Sequence, residues 1–515
     1  MSVEASTEHE RQPAWWRTDY AIIGYFALFK VVLNGAFITR YGFQRDELYF
    51  IACGRHLSFG YVDHTPMVPW MARLTQTLFG ESLLALRIPS LVAGALSVIL
   101  AGLLVREMGG RRWAQAFVCA VMVATPAYLR AHSILHIPTF EMVYWTACFL
   151  VLARIVNGGN EKLWLVFGAI AGVGLLNKPT VLFLGTGVAV AIVLTPLRKH
   201  LLRPWVYLGG AIALLIFLPN LIWQYNHDWA TYRFVKQLNE HTMQRISFLD
   251  FMLGQVLYMG PLNAFVWAPG LVFLLFTKRG GTYRALGLIC ATVYTIMVIS
   301  KAKVYYLAPV YPALFAGGAL AWQAFVADSR WLKRAAFALP VAGLIWTAPL
   351  GLPMLDIETA PKAIRTMTGG LVDENTAHEI TGDWRDQHGW ENLVAEVAKV
   401  YESLSAEEQK NCIIITRNYG QAGAIDFFGK QYGLPDALCT FMTYYYWGPG
   451  ERTGEVGITV GLTRENVALY EEVELAATVT GEHVNRFENN VPIQICRKPT
   501  KTVQEAWKTI TPQGF

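Results

Sequence analysis

Charged residues are scarce in this sequence: Asp, Glu, Lys and Arg together make up 16% of its 515 residues, whereas 54% are hydrophobic. Soluble domains carry about 25% charged residues, so the deficit indicates long segments shielded from water. The apolar runs agree, with examples at 20–37, 83–105, 205–222 and 251–276. Each is close to the ~20 residues that a helix needs to cross the core of a bilayer. The composition excludes an ordinary soluble protein and predicts a polytopic α-helical membrane protein.

The sequence also lacks the cysteine spacing of a metal site, because no two of its seven cysteines stand in a CxxC pair. Three cysteines lie in the polar C-terminal part, and two of them could pair there if that part is extracytoplasmic. Cys412 with Cys496 is one choice of pair. A cleavable signal peptide is not expected, since residues 1–13 are polar, and the first apolar run indicates a retained anchor.

Eleven spans follow from the apolar runs, and the charges of the loops orient them. The spans are 19–39, 83–105, 114–130, 137–155, 163–177, 179–197, 205–223, 251–276, 285–300, 304–326 and 335–352. Short basic clusters near positions 106–112, 198–203, 278–284 and 330–334 alternate with loops that lack them. The positive-inside rule places these clusters in the cytoplasm. This puts residues 1–18 inside, and the loop 40–82 and the tail from about 353 outside.

The tail differs in kind from the rest of the chain. Runs typical of strands occur at 411–416, 456–460 and 491–496, and amphipathic helical patterns occur at 393–401 and 422–432. Strands alternating with helices indicate a small α/β domain. The predicted organisation is therefore a membrane domain at 19–352, including the outer loop 40–82, and a soluble extracytoplasmic α/β domain at 353–515.

The outer loop 40–82 is rich in polar groups. Asp46 and Glu47 are adjacent just past the first predicted span, and Arg45 precedes them. An ionised acid close to a membrane is costly and usually has a partner or a function. A carboxylate there could act as a general base toward a hydroxyl or hold a metal ion. The alternative is a solvated acid paired with a neighbouring arginine, and the dipeptide alone favours that alternative.

Three lysines lie at the outer ends of predicted spans, against the positive-inside trend: Lys178, Lys301 and Lys303. Each could bind a lipid phosphate as a point charge. The alternative is that they extend toward the outer head groups. A cluster of three favours an anionic ligand. Glu141 is a further unusual position, because it lies inside a predicted span.

Several motifs, taken in order, resemble those of the GT-C superfamily, and specifically of bacterial relatives of protein O-mannosyltransferase and lipid A aminoarabinose transferase. They are Asp46-Glu47 after the first span, the Gly-Tyr to Pro-Trp stretch at 60–70, the Leu-Arg-Ile-Pro-Ser stretch at 86–90, and the Lys-Val-Tyr-Tyr-Leu-Ala-Pro-Val-Tyr-Pro run at 303–312. The resemblance covers about 19–326. The tail is similar to a soluble domain of some bacterial members, notably at 418–427.

The resemblance implies an integral-membrane glycosyltransferase whose first outer loop carries the catalytic acid. Its donor would be a sugar on a polyprenyl-phosphate carrier, and its acceptor an extracytoplasmic protein, lipid or glycan. Asp46 matches the proposed base, with Glu47 beside it. Donor phosphate would contact Lys178, Lys301, Lys303 and Arg45, and substrate would contact Asp63, His64, Glu141 and Tyr305. A divalent metal ion stays open as a cofactor, because members differ in metal dependence.

One departure from the pattern concerns the sugar and the acceptor. Asp63 and His64 stand where the lipid A branch has Glu-Lys, so that branch's lysine contact is missing. This difference argues against aminoarabinose as the sugar and lipid A as the acceptor. Membrane lipid is an expected partner and nucleic acid is not. The expected location is a bacterial inner membrane, with the active site on its outer side.

Two other classes of function compete with a transferase. A lipid or glycan transporter or flippase would also have many spans and buried charges. Such proteins usually show paired halves and interrupted helices that meet near mid-membrane. This sequence shows no internal repeat, and its charged groups gather at the outer ends of spans. A glycan-binding or scaffold protein with a degenerate core is the third class, and the presence of both Asp46 and Glu47 argues against it.

Overall fold

The computed structural model describes residues 18–241, 247–370, 372–464 and 469–510. The predicted cytoplasmic segment 1–18 therefore lies, apart from Thr18, outside the described residues. Up to Gly351 the described chain is almost entirely helical. The α-helices of this part are α1 (Asp19–Gly35), α2 (Arg45–Arg55), α3 (Met67–Phe79), α4 (Leu83–Glu107), α5 (Arg112–Ala124), α6 (Pro126–Ala131), α7 (Pro138–Val156), α8 (Leu163–Asn177), α9 (Val181–Leu194), α10 (Pro204–Asn226), α11 (Ala230–His241), α12 (Phe248–Met259), α13 (Ala264–Phe276), α14 (Arg284–Ile299), α15 (Tyr311–Val326) and α16 (Arg330–Gly351).

Short 3-10 helices connect several of these elements. They lie at Pro196–Leu202, Pro261–Asn263, Gly281–Tyr283 and Val304–Val310. The last of them leads directly into α15 and carries Tyr305 and Tyr306. A large apolar core joins residues of α4, α5, α7, α14 and α15, so these helices form the centre of the bundle.

The multi-pass prediction is confirmed, whereas the number of spans stays a prediction. Helix lies at every one of the eleven predicted places. Within the described ranges, six helical stretches are long and apolar enough to cross a membrane, or up to eight if each of two bent pairs counts as one span. The predicted span 251–276 is not straight, because α12 and the helical stretch that follows it meet at 100°. Gly260 has a φ of +92°, and Pro261 after it lacks the N–H that a continuous helix needs.

The predicted small sheet is also confirmed in the C-terminal region, the name used here for residues 353–510. Its five strands are β1 (Ile413–Thr416), β2 (Ala437–Cys439), β3 (Val456–Val460), β4 (Tyr470–Val479) and β5 (Val491–Pro499). Their order is β2-β1-β3-β5-β4, with β1 parallel to β2 and β3, and with β5 antiparallel to β3 and β4. The sequence patterns predicted β1, β3 and β5. They missed β2, which has three residues, and β4, which lies at the edge of the sheet.

Helices surround this sheet and link it to the bundle. They are α17 (Ala360–Met367), α18 (Glu374–Ile380), α19 (Gly382–Arg385), α20 (Trp390–Glu402), α21 (Ala406–Asn411), α22 (Tyr419–Phe428), α23 (Tyr444–Trp447) and α24 (Val503–Trp507), with 3-10 helices at Gly429–Tyr432 and Arg486–Glu488. The predicted helices 393–401 and 422–432 correspond to α20 and to α22 with the short helix after it.

The outer loop 40–82 is packed against the C-terminal region. It contains α2 and α3, and one apolar core joins its residues to those of the sheet and of α20 and α22. Leu48 and Tyr49 of α2 belong to this core together with Ile414 and Ile425. The C-terminal region therefore packs directly on the loop that the sequence indicated to be polar.

The pairing of Cys412 with Cys496 is not found. All seven cysteines are free and buried. Cys496 lies opposite Gly457 in the β3–β5 pair, and Cys412 precedes β1. Their buried thiols instead fill small apolar spaces, as free cysteines commonly do.

Candidate active site

The carboxylate of Asp46 lies at the N-terminus of α2, where unpaired backbone N–H groups and the helix dipole favour negative charge. Its Oδ1 accepts a hydrogen bond of 2.8 Å from the hydroxyl of Tyr419, in the C-terminal region. The Nε atom of Arg45 stands 3.8 Å from the same oxygen. The Asp46 side chain keeps 38% of its surface exposed. It is held on one side and open on the other, as a group that meets a substrate must be.

Glu47 has a different environment from its neighbour. Its side chain is fully buried, and both of its oxygens bind the guanidinium of Arg87, at 2.8 and 2.6 Å. One oxygen also accepts from the backbone N–H of Leu135 and the other from that of Gln44, at 2.8 and 2.9 Å. The contact with Gln44 closes a capping box at the start of α2. The four hydrogen bonds fix the fold around Asp46 and leave Glu47 no contact with solvent.

Asp63 and His64 form a second pair close to Asp46. The Asp63 Oδ1 accepts a hydrogen bond of 2.9 Å from the hydroxyl of Tyr49 and lies 3.8 Å from Nε2 of the buried His64. Burial raises the pKa of Asp63 above its ordinary value; the His64 ring and the Tyr49 hydrogen bond oppose this, and the negative charge of Asp46 adds to it. Two packed rings link the acids, because Tyr49, which donates to Asp63, packs against Tyr419, which donates to Asp46.

A third group surrounds Lys178, at the end of α8. Its Nζ donates to Glu141 Oε2 at 3.0 Å, and the hydroxyl of Thr180 donates to Glu141 Oε1 at 2.6 Å. The same Nζ stands 4.4 Å from the ring centre of Tyr306 and 5.6 Å from that of Tyr305. The structure thus brings together three of the predicted residues, namely Lys178, Glu141 and Tyr305.

A cavity of about 430 Å³ opens beside this group. Apolar side chains of α12, α16, α17 and α18 form most of its wall, among them Leu257, Trp346, Leu350, Ile364 and Ile380. Its polar lining includes Arg130, Tyr258, Tyr305 and Asp383. Arg130 and Asp383 form an ion pair of 2.9 Å. One cavity therefore combines an apolar wall with a polar part that holds an arginine–aspartate ion pair and tyrosine hydroxyls.

The remaining predicted cations lie apart from these contacts. Lys301 is exposed at the end of α14, in a left-handed conformation with a φ of +50°. Lys303 is partly buried and directly precedes the short helix that carries Tyr305. In the described part of the chain, neither lysine forms an ion pair. Arg45 lies with Asp46 and Tyr419 rather than with Lys178.

Several residues of these groups had no predicted role, among them Arg87, Asp383 and Tyr419. Arg87 stands in the Leu-Arg-Ile-Pro-Ser stretch and Tyr419 in the stretch 418–427, so both were inside motifs already noticed. Asp383 lies in a polar stretch with no motif around it. Among the residues that the structure describes, no three His, Cys, Asp or Glu side chains come together as metal ligands do.

Comparison with known proteins finds similar sequences and a similar fold. The sequence matches the dolichyl-phosphate-mannose-protein mannosyltransferase family over residues 63–223. It is 25% identical to the lipid A galacturonosyltransferase RgtD of Rhizobium johnstonii over 259 residues, which are 49% of this chain and 54% of that protein. It is 32% identical to the undecaprenyl phosphate-α-4-amino-4-deoxy-L-arabinose arabinosyl transferase of Pseudomonas paraeruginosa over 156 residues, 29% of this chain and 28% of the relative. The chain thus spans about half of the first relative and about a quarter of the second.

The fold is similar to that of ArnT from Cupriavidus metallidurans, whose crystal structure holds undecaprenyl phosphate. The TM-score is 0.59 at 15% sequence identity, and the match covers 93% of this chain and 98% of the ArnT chain. The likeness therefore extends through the bundle and the C-terminal region alike. The family match, the two relatives and the shared fold together support the predicted resemblance of this chain to membrane glycosyltransferases of the GT-C superfamily.

Proposed function

We propose that the chain is an integral-membrane glycosyltransferase that moves a sugar from a polyprenyl-phosphate carrier to the hydroxyl of an extracytoplasmic acceptor. The cavity beside Lys178 carries this proposal. Its apolar wall suits a polyprenyl chain, and its lining of Arg130, Tyr258 and Tyr305 suits a phosphate and a sugar. The name of the Pseudomonas relative and the lipid bound to ArnT are consistent with such a donor.

In this proposal the donor phosphate binds near Arg130, Lys178 and Lys303. A guanidinium offers a fork of donors to phosphate oxygens, and an ammonium offers a point charge. Lys178 is held by Glu141 and by the rings of Tyr305 and Tyr306, so its ammonium is fixed in direction before the donor arrives. Lys301 and Arg45, the other predicted phosphate contacts, would act at the edge of this region.

Asp46 would be the base. The acceptor oxygen attacks the anomeric carbon as the bond from that carbon to the phosphate oxygen breaks, and the acceptor proton passes to Asp46. The polyprenyl phosphate leaves with the bonding electrons, and the nearby cations stabilise its charge. A single displacement of this kind inverts the anomeric centre. The partial exposure of Asp46 supports this role, because the acceptor must reach the carboxylate.

The other predicted residues take supporting roles. Asp63 and His64 would contact the acceptor or the sugar, since Tyr49, which donates to Asp63, packs against the Tyr419 that holds Asp46. Glu141 orients Lys178. Glu47 is assigned to the fold rather than to the reaction, because all its contacts are internal. Asp46 and Asp63 are two carboxylates without a third ligand among the described residues, so the proposal assigns no step to a metal ion.

The relatives also indicate which sugars and which acceptor to test first. The names of the relatives point to lipid A and to uronic or amino sugars as first candidates. Asp63-His64 in place of Glu-Lys argues for a different sugar contact at that position. We place the protein in the bacterial inner membrane, with Asp46 and the C-terminal region on the outer side.

The test is sugar transfer by protein reconstituted in nanodiscs. Polyprenyl-phosphate sugars, including an aminoarabinose, a galacturonic acid and a mannose donor, are offered with lipid A or with an envelope extract as acceptor. The native protein and Glu471→Gln, an exposed acid on β4, should transfer one of these sugars, whereas Asp46→Asn should lose transfer by at least about 100-fold.

Two results would count against the proposal. Transfer by Asp46→Asn at the native rate would remove the assigned base. No transfer from any donor by folded protein that still binds polyprenyl phosphate would favour a lipid or glycan transporter, or a binding protein.

A further inference from the structure

Tyr419 is the first residue of α22 and is fixed there by a well-formed cap. The Asn418 side chain accepts hydrogen bonds from the backbone N–H groups of Gly420 and Gln421, at 2.9 and 3.0 Å. The Asn418 amide donates in turn to Glu488 at 2.9 Å. Since the cap and its support are both in the C-terminal region, that region determines where the Tyr419 ring points.

Two glycines let α22 approach α2 closely enough for Tyr419 to reach Asp46. A Cβ at Gly420 would lie 2.4 Å from Cγ of Arg45, and a Cβ at Gly423 would lie 2.9 Å from the backbone carbon of Leu48. Both distances are too short for a side chain: at Gly420 the Arg45 side chain would have to move, and at Gly423 one of the two helices would have to move. The small residues on this face of α22 therefore permit a helix-to-helix contact in which side chains of α2 lie directly against its backbone.

Two neighbours hold the Tyr419 ring in place. It packs against the ring of Tyr49, with 4.8 Å between centres, and the guanidinium of Arg45 lies 5.3 Å from its centre. The hydroxyl is thereby directed to Oδ1 of Asp46, to which it donates at 2.8 Å. Within the described ranges, Oδ2 of Asp46 makes no hydrogen bond. One oxygen is held and the other is free to accept a proton.

We infer that Tyr419 is a positioning residue for Asp46, so that the C-terminal region completes the active site instead of only covering it. This inference rests on the proposed function of Asp46 as base. Tyr419 fixes the rotation of the carboxylate and leaves Oδ2 facing the acceptor. A misplacement of about 1 Å in a reacting group can cost about 10²-fold in rate, and the hydroxyl prevents such a misplacement.

Tyr419→Phe tests the inference, because it removes the hydroxyl and keeps the ring that packs on Tyr49. We expect kcat to fall by about 10- to 100-fold, while KM for the donor lipid changes by less than about twofold. Thermal unfolding should change little, since the packing of the ring is retained. Tyr432→Phe, at an exposed tyrosine in the same region, is the matched control and should transfer at the native rate.

The outcomes separate this inference from the proposed function. Native kcat in folded Tyr419→Phe, with transfer lost in Asp46→Asn, would overturn the positioning role alone. Native transfer in both variants would overturn the proposed base together with the positioning role. A lower melting temperature in Tyr419→Phe with normal kcat for the folded fraction would show a merely structural tyrosine, and would also overturn the inference.

Gly423→Ala provides a second variant that keeps the hydroxyl but pushes α22 away from α2. We expect it to lower kcat as Tyr419→Phe does, again with little change in KM for the donor. A folded Gly423→Ala protein with native kcat would contradict a role for the close contact of these helices.

Discussion

Adjacent acids in the same turn of a helix have opposite environments in this protein. Asp46 is partly open and meets the C-terminal region, whereas Glu47 is fully buried and paired with Arg87. On a helix, successive side chains point about 100° apart, so neighbours in sequence do not share a face. The pair of acids that identified the motif therefore divides into one partly exposed acid and one buried, paired acid.

The first prediction concerns Glu47 and Arg87. Glu47→Gln keeps the shape of the side chain but leaves Arg87 buried without a counter-ion, which typically costs about 3–5 kcal/mol. We expect a clearly lower melting temperature, with nearly native kcat in the fraction that stays folded. Thermal unfolding followed by intrinsic fluorescence, together with transfer assays on the monodisperse protein, measures both.

A double variant supplies the control for this prediction. Glu47→Gln combined with Arg87→Met removes the unpaired charge, so it should be more stable than Glu47→Gln alone. Loss of kcat in Glu47→Gln without loss of stability would instead return Glu47 to the reaction, as the sequence had suggested.

Glycines determine how closely neighbouring elements can pack. A Cβ at Gly209 in α10 would lie 2.3 Å from the carbonyl oxygen of Trp164 in α8, and a Cβ at Gly168 would lie 2.0 Å from the carbonyl of Gly209. A similar contact joins Gly270 of α13 to Leu314 of α15, at 1.9 Å. Small residues at helix contacts are a usual basis of packing in membranes, where burial of apolar surface adds little.

The second prediction compares two successive glycines of α10. Gly209→Ala should force α8 and α10 apart and cost about 1–3 kcal/mol, as overpacking usually does. Gly210→Ala should be neutral or slightly stabilising, because nothing lies within 4 Å of its added Cβ. Melting temperatures of the two variants in the same detergent give the comparison. Equal values would show that the α8–α10 contact does not limit stability.

The whole molecule joins a helical bundle and a C-terminal region through the segment around α2. Ion pairs cross this boundary at several points: Arg40–Asp356, Arg130–Asp383 and Lys430–Glu81. Arg55 adds a hydrogen bond of 2.7 Å to the carbonyl of Asp426. With the shared apolar core, these contacts explain why the outer loop and the C-terminal region should be on the same side of the membrane.

The third prediction tests on which side of the membrane the C-terminal region lies. Cysteine substitutions at two exposed positions, Glu471→Cys on β4 and Arg279→Cys in a basic loop, would be treated with a membrane-impermeant maleimide on intact spheroplasts. We expect labelling of the first but not of the second, since basic loops stay in the cytoplasm. The seven native cysteines are buried and should give a low background. The reverse labelling pattern would invert the proposed orientation.

Local signals in the sequence were sufficient for the class of fold. Apolar runs of membrane length predicted the helical bundle, and alternating patterns at 411–416, 456–460 and 491–496 predicted three strands of the sheet. Residue order alone also gave the motifs by which the superfamily was recognised. The sequence pattern did not predict β2, because three residues are too few to show an alternation. It also did not predict the bend after α12, because the apolar run 251–276 continues through the two residues of the turn.

The assignment of roles at the site depended on tertiary structure. That Lys178 meets Glu141, that Arg87 neutralises Glu47 and that Tyr419 reaches Asp46 are contacts between residues 37, 40 and 373 positions apart. The periodicity of hydropathy indicates only the face on which a side chain lies. It carries no information about a partner that is distant in sequence. Residue order alone was enough to predict a membrane protein with motifs that resemble those of the GT-C superfamily. Tertiary packing distinguishes the two acids: Arg87 of α4 pairs with the buried Glu47, whereas Tyr419 of α22 holds one oxygen of the partly exposed Asp46. The reason is that burial and pairing are properties of the folded chain.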